Sequence, residues 1–223
     1  MSSPAIEPTR VVLLHGLGRS TRSMLPIERA LRRRGGRVLN LGYPSRSADV
    51  ATLAADVARQ IIEWEPNAPL DFITHSLGGI VLRMAVAQGD LPSERIRRAV
   101  MLGPPNSGSE LADALPKVRL FGPLYRRFTG PAGLELGVGP EGVPAQLPPV
   151  SFELGVIAGT RSMNPVFNAM LSEPNDGKVR VERTKVKGMR DFLLVPEFHP
   201  LMMAAPDVIT QAIHFLDFGA FRR

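Results

Sequence analysis

Asp71-Phe-Ile-Thr-His-Ser-Leu-Gly-Gly-Ile80 is an apolar run that passes, without a spacer, through His75-Ser76-Leu77-Gly78-Gly79 into a helical pattern. A serine at such a strand-to-helix junction sits on a sharp turn. The turn exposes its hydroxyl and aims the following amide N–H groups at whatever the hydroxyl attacks. Ser76 is therefore the candidate nucleophile. Strand and helix backbones approach closely at such a turn, and the small residues Gly78 and Gly79 allow it. A second stretch, Leu13-Leu-His-Gly-Leu-Gly18, is a strand running into His15-Gly16 with a further Gly18. It suits a loop whose Leu17 amide forms half of an oxyanion hole, with the Leu77 amide as the other half. Each such donor is worth roughly 3–4 kcal/mol to a tetrahedral intermediate.

Around these two stretches, strand-like and helix-like segments alternate. Strands are expected at Val11–Leu14, Arg37–Leu41, Leu70–Thr74, Arg98–Leu102, Phe152–Ala158 and Asp191–Val195. Helical patterns fall at Met24–Arg34, Asp49–Trp64 and Leu77–Gln88, and from Pro206 to a stop at Gly219. In the second of these, Val50, Leu53, Ala54, Val57 and Ile61 share one face, with Asp49 placed to cap it. This alternation implies an α/β fold, a mostly parallel sheet of about six strands with helices on both faces. The rhythm breaks at Gly103. From there to Val150 the chain is rich in Gly and Pro and lacks a period, which reads as an insertion or lid within a single domain spanning residues 1–223.

Composition narrows the chemistry. The 223 residues are 44% apolar and 22% charged, ordinary for a globular protein. Cysteine is absent, which excludes disulfides, a thiolate nucleophile and Cys-ligated metal. The four His are scattered without ligand spacing, so no metal and no cofactor is expected. Gly137, Gly139 and Gly142 match a dinucleotide fingerprint formally, but Pro140 interrupts them and no strand-to-helix junction surrounds them. The N-terminal MSSPAIEPTR lacks a secretory signal's positive start and long apolar core, and no apolar run approaches a membrane span, so a cytoplasmic location is expected. The net charge of +6 includes clusters at Arg32–Arg34, Arg95/Arg97/Arg98 and Arg126/Arg127. A solvated basic surface is the ordinary meaning of such clusters; peripheral contact with anionic lipid is the functional alternative. Aromatics make up 6% and do not interleave with the basic runs, which argues against nucleic acid as a partner.

The paired motifs resemble the α/β-hydrolase superfamily, specifically its small lipase- and esterase-like members. The resemblance spans nearly the whole chain: HGLG, THSLGG, then NDGKV and finally EFH, in the family's order of nucleophile, acid and histidine. The family's Gly-x-Ser-x-Gly opens with Gly or another small residue, and here that position is Thr74, which crowds the turn. The resemblance implies a strand order of 2-1-3-4-5-6. Strands 1 and 3 are then neighbours whose connections leave in opposite directions, so both motifs fall at the switch point where open sheets form ligand crevices.

Within that frame the base is one of four histidines. His15 belongs to the oxyanion loop, His75 is adjacent to the nucleophile and His214 lies in the last helix. His199, in Val195-Pro-Glu-Phe-His199, follows the sixth strand where a loop returns to the crevice, and is the candidate base. Asp176, in Asn175-Asp176-Gly177, is the candidate acid; Asp191, Glu182 and Glu197 are its rivals. Tyr43, Pro44, Asn106 and Ser107 are candidates for the pocket wall, and Leu17 with Leu201-Met-Met203 for an acyl pocket. The expected activity is hydrolysis of a small-molecule acyl ester through Ser76, His199 and Asp176. A thioesterase or acyltransferase, or a non-catalytic hydrolase-fold protein that binds lipid or a partner, is the alternative.

Overall fold

The strand and helix periods of the sequence are realised in a computed structural model that describes residues 9–118, 122–163, 165–171 and 174–223. The start of the N-terminal stretch read above (1–8) and part of the Gly/Pro-rich segment (119–121) lie outside the described residues. In chain order the elements are β1 (Arg10–Leu14), α1 (Leu25–Arg33), β2 (Arg37–Leu41), α2 (Val50–Trp64), β3 (Leu70–His75), α3 (Leu77–Ala87) and β4 (Ile96–Leu102). Then follow α4 (Glu110–Ala114), α5 (Gly122–Leu134), α6 (Val143–Gln146), β5 (Glu153–Arg161), α7 (Pro165–Leu171), α8 (Val181–Thr184), β6 (Asp191–Phe198) and α9 (Pro206–Phe218).

The sheet is parallel throughout, in the order β2-β1-β3-β4-β5-β6. Its strands are apolar on both sides because both faces are covered. Val12, Leu14, Phe72, Ala99 and Met101 pack with α2 and α3 on one face. Val11, Leu13, Ile73, Val100 and Leu102 pack with α1 and α9 on the other. A slip of one residue in any central strand would exchange these two sets, so register is strongly fixed. Asp49 caps α2 as expected, its carboxylate accepting from the Thr52 amide at 2.7 Å.

Two details depart from the sequence reading. β6 continues through Pro196 to Phe198 instead of ending at Val195, and β5 runs on to Arg161. β6 is an edge strand, where a residue without an N–H is tolerated, and the pairing shifts register between Gly159 and Arg161 beside that proline. The segment from Gly103 to Val150 is also less irregular than its composition suggests. It holds α4, α5 and α6, and its Ala112, Ala132 and Leu136 join the core on the α2/α3 face. Arg83 of α3 ties this segment down, donating to the backbone carbonyls of Asn106 (2.9 Å), Leu147 (3.2 Å) and Pro148 (3.2 Å).

Candidate active site

β3 is buried along its whole length and delivers Ser76 to the end of the sheet. Ser76 has φ 52° and ψ −120°, and it alone among the described non-glycine residues has a positive φ. Such a conformation costs about 1–3 kcal/mol and persists only where its surroundings impose it. They do so here: the Ser76 amide donates to the Leu102 carbonyl at the end of β4 (2.9 Å), and Gly79 donates back to the Ser76 carbonyl (3.0 Å). Gly78 then lets α3 lie against the end of β1, since a Cβ there would stand 2.6 Å from the Leu14 carbonyl oxygen and 2.9 Å from that of His15. Thr74, expected to crowd the turn, is fully buried, and its hydroxyl lies toward Gly79, where the missing side chain leaves room.

The loop after β1 is held from behind. The Tyr43 amide donates to His15 Nε2 at 3.4 Å, so Nδ1 carries the proton and donates to the Gly16 carbonyl at 2.9 Å. The Tyr43 ring stacks on the His15 ring at 4.3 Å, and its hydroxyl donates to the His15 carbonyl. Burial lowers the pKa of His15 and keeps it neutral. Within the loop, the amides of Gly18 and Arg19 are engaged, by Ser45 Oγ (3.0 Å) and the Gly16 carbonyl (3.1 Å). The Leu17 amide has no acceptor among the described residues. Leu77 is the first residue of α3, so its amide has no carbonyl to reach inside the helix.

The structure brings Asp176 and His199 together. The turn Asn175-Asp176-Gly177-Lys178-Val179 closes on the Asp176 carboxylate, whose Oδ1 accepts from the amides of Lys178 (2.9 Å) and Val179 (2.8 Å). Its Oδ2 accepts from His199 Nδ1 at 2.6 Å, and the His199 amide donates to the Asp176 carbonyl at 2.9 Å. Both side chains are buried. With Nδ1 donating, His199 Nε2 is left as the ring's acceptor. Of the rival carboxylates, Asp191 bonds the Phe192 and Phe221 amides and Arg223 at the far end of β6, and Glu182 pairs with Lys185. Glu197 does not line the cavity described below. His75 donates from Nε2 to the His199 carbonyl at 3.0 Å, while its own Nδ1 is buried without a partner. Burial first, and then the neighbouring His199, hold the His75 pKa well below the usual imidazole value.

Ser76, His75, His199 and Leu17 line one cavity of about 350 Å³. That is the size of a small-molecule pocket. Ser76 and His199 are not hydrogen-bonded to each other, as is common before substrate tightens such a contact. The segment after β4 supplies much of the remaining wall, including Leu111, Tyr125 and Phe128. Four expected wall residues lie elsewhere. Tyr43 sits behind the His15 loop, and Pro44 does not line the cavity. Asn106 is buried between Arg83 and the Thr184 carbonyl, and Ser107 lines a separate hollow with it. Met202 and Met203 are likewise in the core under α9 instead of on an acyl wall, because the turn after β6 folds them inward. Sequence reasoning missed Gly103. At φ +54°, a Cβ on it would stand 2.9 Å from Asp176 Oδ2 and 3.0 Å from His199 Nδ1. Its signal was a glycine directly after a strand and before Pro104-Pro105. Among the described residues, no group of three or more His, Asp or Glu could hold a metal ion, and no helix is long and apolar enough to cross a membrane.

A family model described as "Domain of unknown function (DUF7379)" matches residues 3–135, which include the His15 loop and Ser76 but neither Asp176 nor His199. No curated protein matches the chain. Among solved structures, the mature form of Bacillus licheniformis lipase BlEst2 superposes with a TM-score of 0.70 at 18% identity, over 97% of this chain and 94% of that one. Its propeptide form gives 0.73 at 17% identity, over 99% of this chain and 52% of that one, so the chain spans about half the length of that longer form. Phospholipase PlaB from Legionella pneumophila gives 0.63 at 22% identity, over 79% of this chain and 46% of that one. At such identities the shared property is the fold.

Proposed function

The chain belongs to the family described as a domain of unknown function (DUF7379) and has the α/β-hydrolase fold; from that premise we propose that it is a serine hydrolase of carboxylic esters, with Ser76 as nucleophile, His199 as base and Asp176 as orienting acid. The observation that carries this reading is the 2.6 Å contact of a buried Asp176 with His199, which opens with the strained Ser76 on one cavity. A binding protein has no need to bury an Asp–His pair next to a serine on a turn that costs stability.

In this reading the Ser76 oxygen attacks the ester carbonyl while His199 Nε2 takes its proton. The Asp176 carboxylate fixes the tautomer and stabilises the imidazolium that forms. The amides of Leu17 and Leu77 donate to the oxyanion, each worth about 2.7–4 kcal/mol. His199 then gives its proton to the departing alcohol, leaving an acyl-enzyme on Ser76. A water molecule, deprotonated by His199, attacks that acyl group; His199 returns the proton to the Ser76 oxygen as the carboxylic acid leaves. Gly103 leaves space for the Asp176–His199 bond, and His75 steadies the His199 backbone as a positioning residue. Lipase and phospholipase appear in the names of structural neighbours, which accords with acyl-ester chemistry.

The test is labelling by a fluorophosphonate together with a panel of acyl esters and thioesters of graded chain length, on wild type and Ser76→Ala. Labelling and turnover confined to the wild type support the proposal. A wild type that neither labels nor turns over any of the panel points instead to a non-catalytic binding protein.

A further inference from the structure

Among the described residues, two Arg or Lys side chains line the cavity, Arg19 and Lys178, and no carboxylate does. Several other arginines pair with acids: Arg10 with Glu65, Arg98 with Glu153 and Arg183 with Glu110. The side chains of Arg19 and Lys178 have no ion-pair or hydrogen-bond partner among the described residues. Their backbones are nonetheless anchored. The Arg19 amide donates to the Gly16 carbonyl (3.1 Å), the Lys178 amide donates to Asp176 Oδ1 (2.9 Å), and Ser109 Oγ donates to the Lys178 carbonyl (3.0 Å). One cation thus stands two residues beyond Leu17 and the other two residues beyond Asp176, so the loops that carry the proposed chemistry also present the charges.

Resting on the esterase reading, we propose that the substrate ester carries an anionic group, carboxylate or phosphate, held between Arg19 and Lys178. Both residues are exposed and line the same cavity, and an anion that meets both is attracted by each. Partial desolvation first and then Arg19 lower the Lys178 pKa, with only Asp176 opposing, although much of the side chain is exposed. Tyr125 lines the same cavity, and burial with the nearby Asp113 raises its phenol to about 12, so it remains an O–H donor for the same anion. The expected advantage of a charged over a neutral ester is about tenfold or more, the usual worth of a hydrogen bond to a charged group.

Two matched pairs of esters test this. Monoethyl adipate against ethyl hexanoate places a carboxylate on the acyl side. Monobutyryl glycerol phosphate against monobutyryl glycerol places a phosphate on the alcohol side. In wild type at least one anionic ester should exceed its neutral partner about tenfold in kcat/KM, and the pair that does so identifies the anion. Arg19→Gln and Lys178→Met should each cut that ratio severalfold, and Arg19→Lys should retain most of it. Arg126→Gln, an exposed charge outside the cavity, should leave it alone. The proposal is overturned if neither anionic ester is preferred, if the ratio survives both substitutions, or if Arg126→Gln lowers it equally. If no ester is turned over at all, the esterase reading fails. The anion site is then read by calorimetry with adipate and glycerol phosphate on the intact protein: binding weakened severalfold by Arg19→Gln or Lys178→Met supports it, and absent or unaltered binding overturns it.

Discussion

The two sides of the crevice are built by different means. Ser76 and the His15–Gly18 loop end adjacent central strands, β3 and β1, and lie within the residues matched by the family model. The geometry at Ser76 is set by backbone, a positive φ and the close approach that Gly78 permits, with the loop braced from behind by Tyr43 and Ser45. Asp176 and His199 lie beyond that match, on a turn and at the end of the edge strand β6. Their geometry is set by hydrogen bonds, three to the Asp176 carboxylate and one between backbones, with no strained angle at either residue. A backbone-built side resists small side-chain changes and fails when the chain path changes. A side built from polar contacts fails when one acceptor is lost.

The largest expected effect is on the backbone-built side. Ser76→Ala should lower ester turnover by about a millionfold, as removing a nucleophile typically does. Stability should hardly move, because alanine carries the same Cβ into the same turn. Ser76→Gly should lose as much activity yet gain about 1 kcal/mol of stability, since glycine relieves the positive φ. Denaturant midpoints of the three proteins check this; a glycine variant no more stable than alanine would mean that the turn stores no strain. On the other side, Asp176→Asn should lower kcat by about ten-thousandfold with the fold kept, because the amide oxygen still accepts from the turn while the histidine loses its anionic partner. Asp191→Asn should cost less than about threefold in kcat, because its partners, the Phe192 and Phe221 amides and Arg223, lie at the far end of the sheet from the chemistry. Equal behaviour of the two would remove the acid from this side of the crevice.

The same contrast explains what the sequence could reveal. Ser76 and Leu17 were legible because the local pattern marks where their strands end in small residues, while distant partners, Leu102 for Ser76 and Tyr43 and Ser45 for the loop of Leu17, fix the geometry. The strand order was legible because the resemblance carried by those motifs implies it. Asp176 and His199 became candidates through their place after the fifth and sixth strands and the resemblance carried by NDGKV and EFH, since Asp176-Gly177 by itself reads as an ordinary turn. The wall was the least legible. Tyr43 and Asn106 look like pocket residues from their positions after strands, yet their hydrogen bonds turn them inward. Arg19, Lys178 and Gly103 face the site only because three separate loops converge there, which no window of sequence records.

Gly103 joins the two sides, since it ends β4 beside Ser76's hydrogen-bond acceptor Leu102 and abuts the Asp176–His199 pair. Gly103→Ala should cost about 1–3 kcal/mol from its positive φ. It should also lower kcat by about ten- to a hundredfold, because the new methyl must displace Asp176 or His199 by some tenths of an ångström, and small misplacements are costly at such sites. KM should change little. A variant that loses stability but keeps kcat would show that the glycine serves only the turn.

The smallest effect concerns His75, which touches both sides: it precedes Ser76 in sequence and donates to the His199 carbonyl. Its Nδ1 is buried without a partner, so a second proton would place an uncompensated charge in the interior, and its pKa lies well below 6.5. The unfolded chain takes up that proton as pH falls through about 6.5, and the native protein does not. The contribution of neutral His75 is therefore fully present above that value and is lost progressively below it, down to the depressed native pKa. The slope is at most about 1.4 kcal/mol per pH unit for this one group. His15, also lowered by burial, acts in the same direction. His75→Gln keeps an N–H donor for the His199 carbonyl but cannot titrate. Its stability should fall less steeply than that of wild type between about pH 6.5 and 5. Urea midpoints across that range read the difference directly. Parallel curves would mean that His75 accepts its proton in the folded state, and that the wall beside Ser76 is less dry than its packing implies.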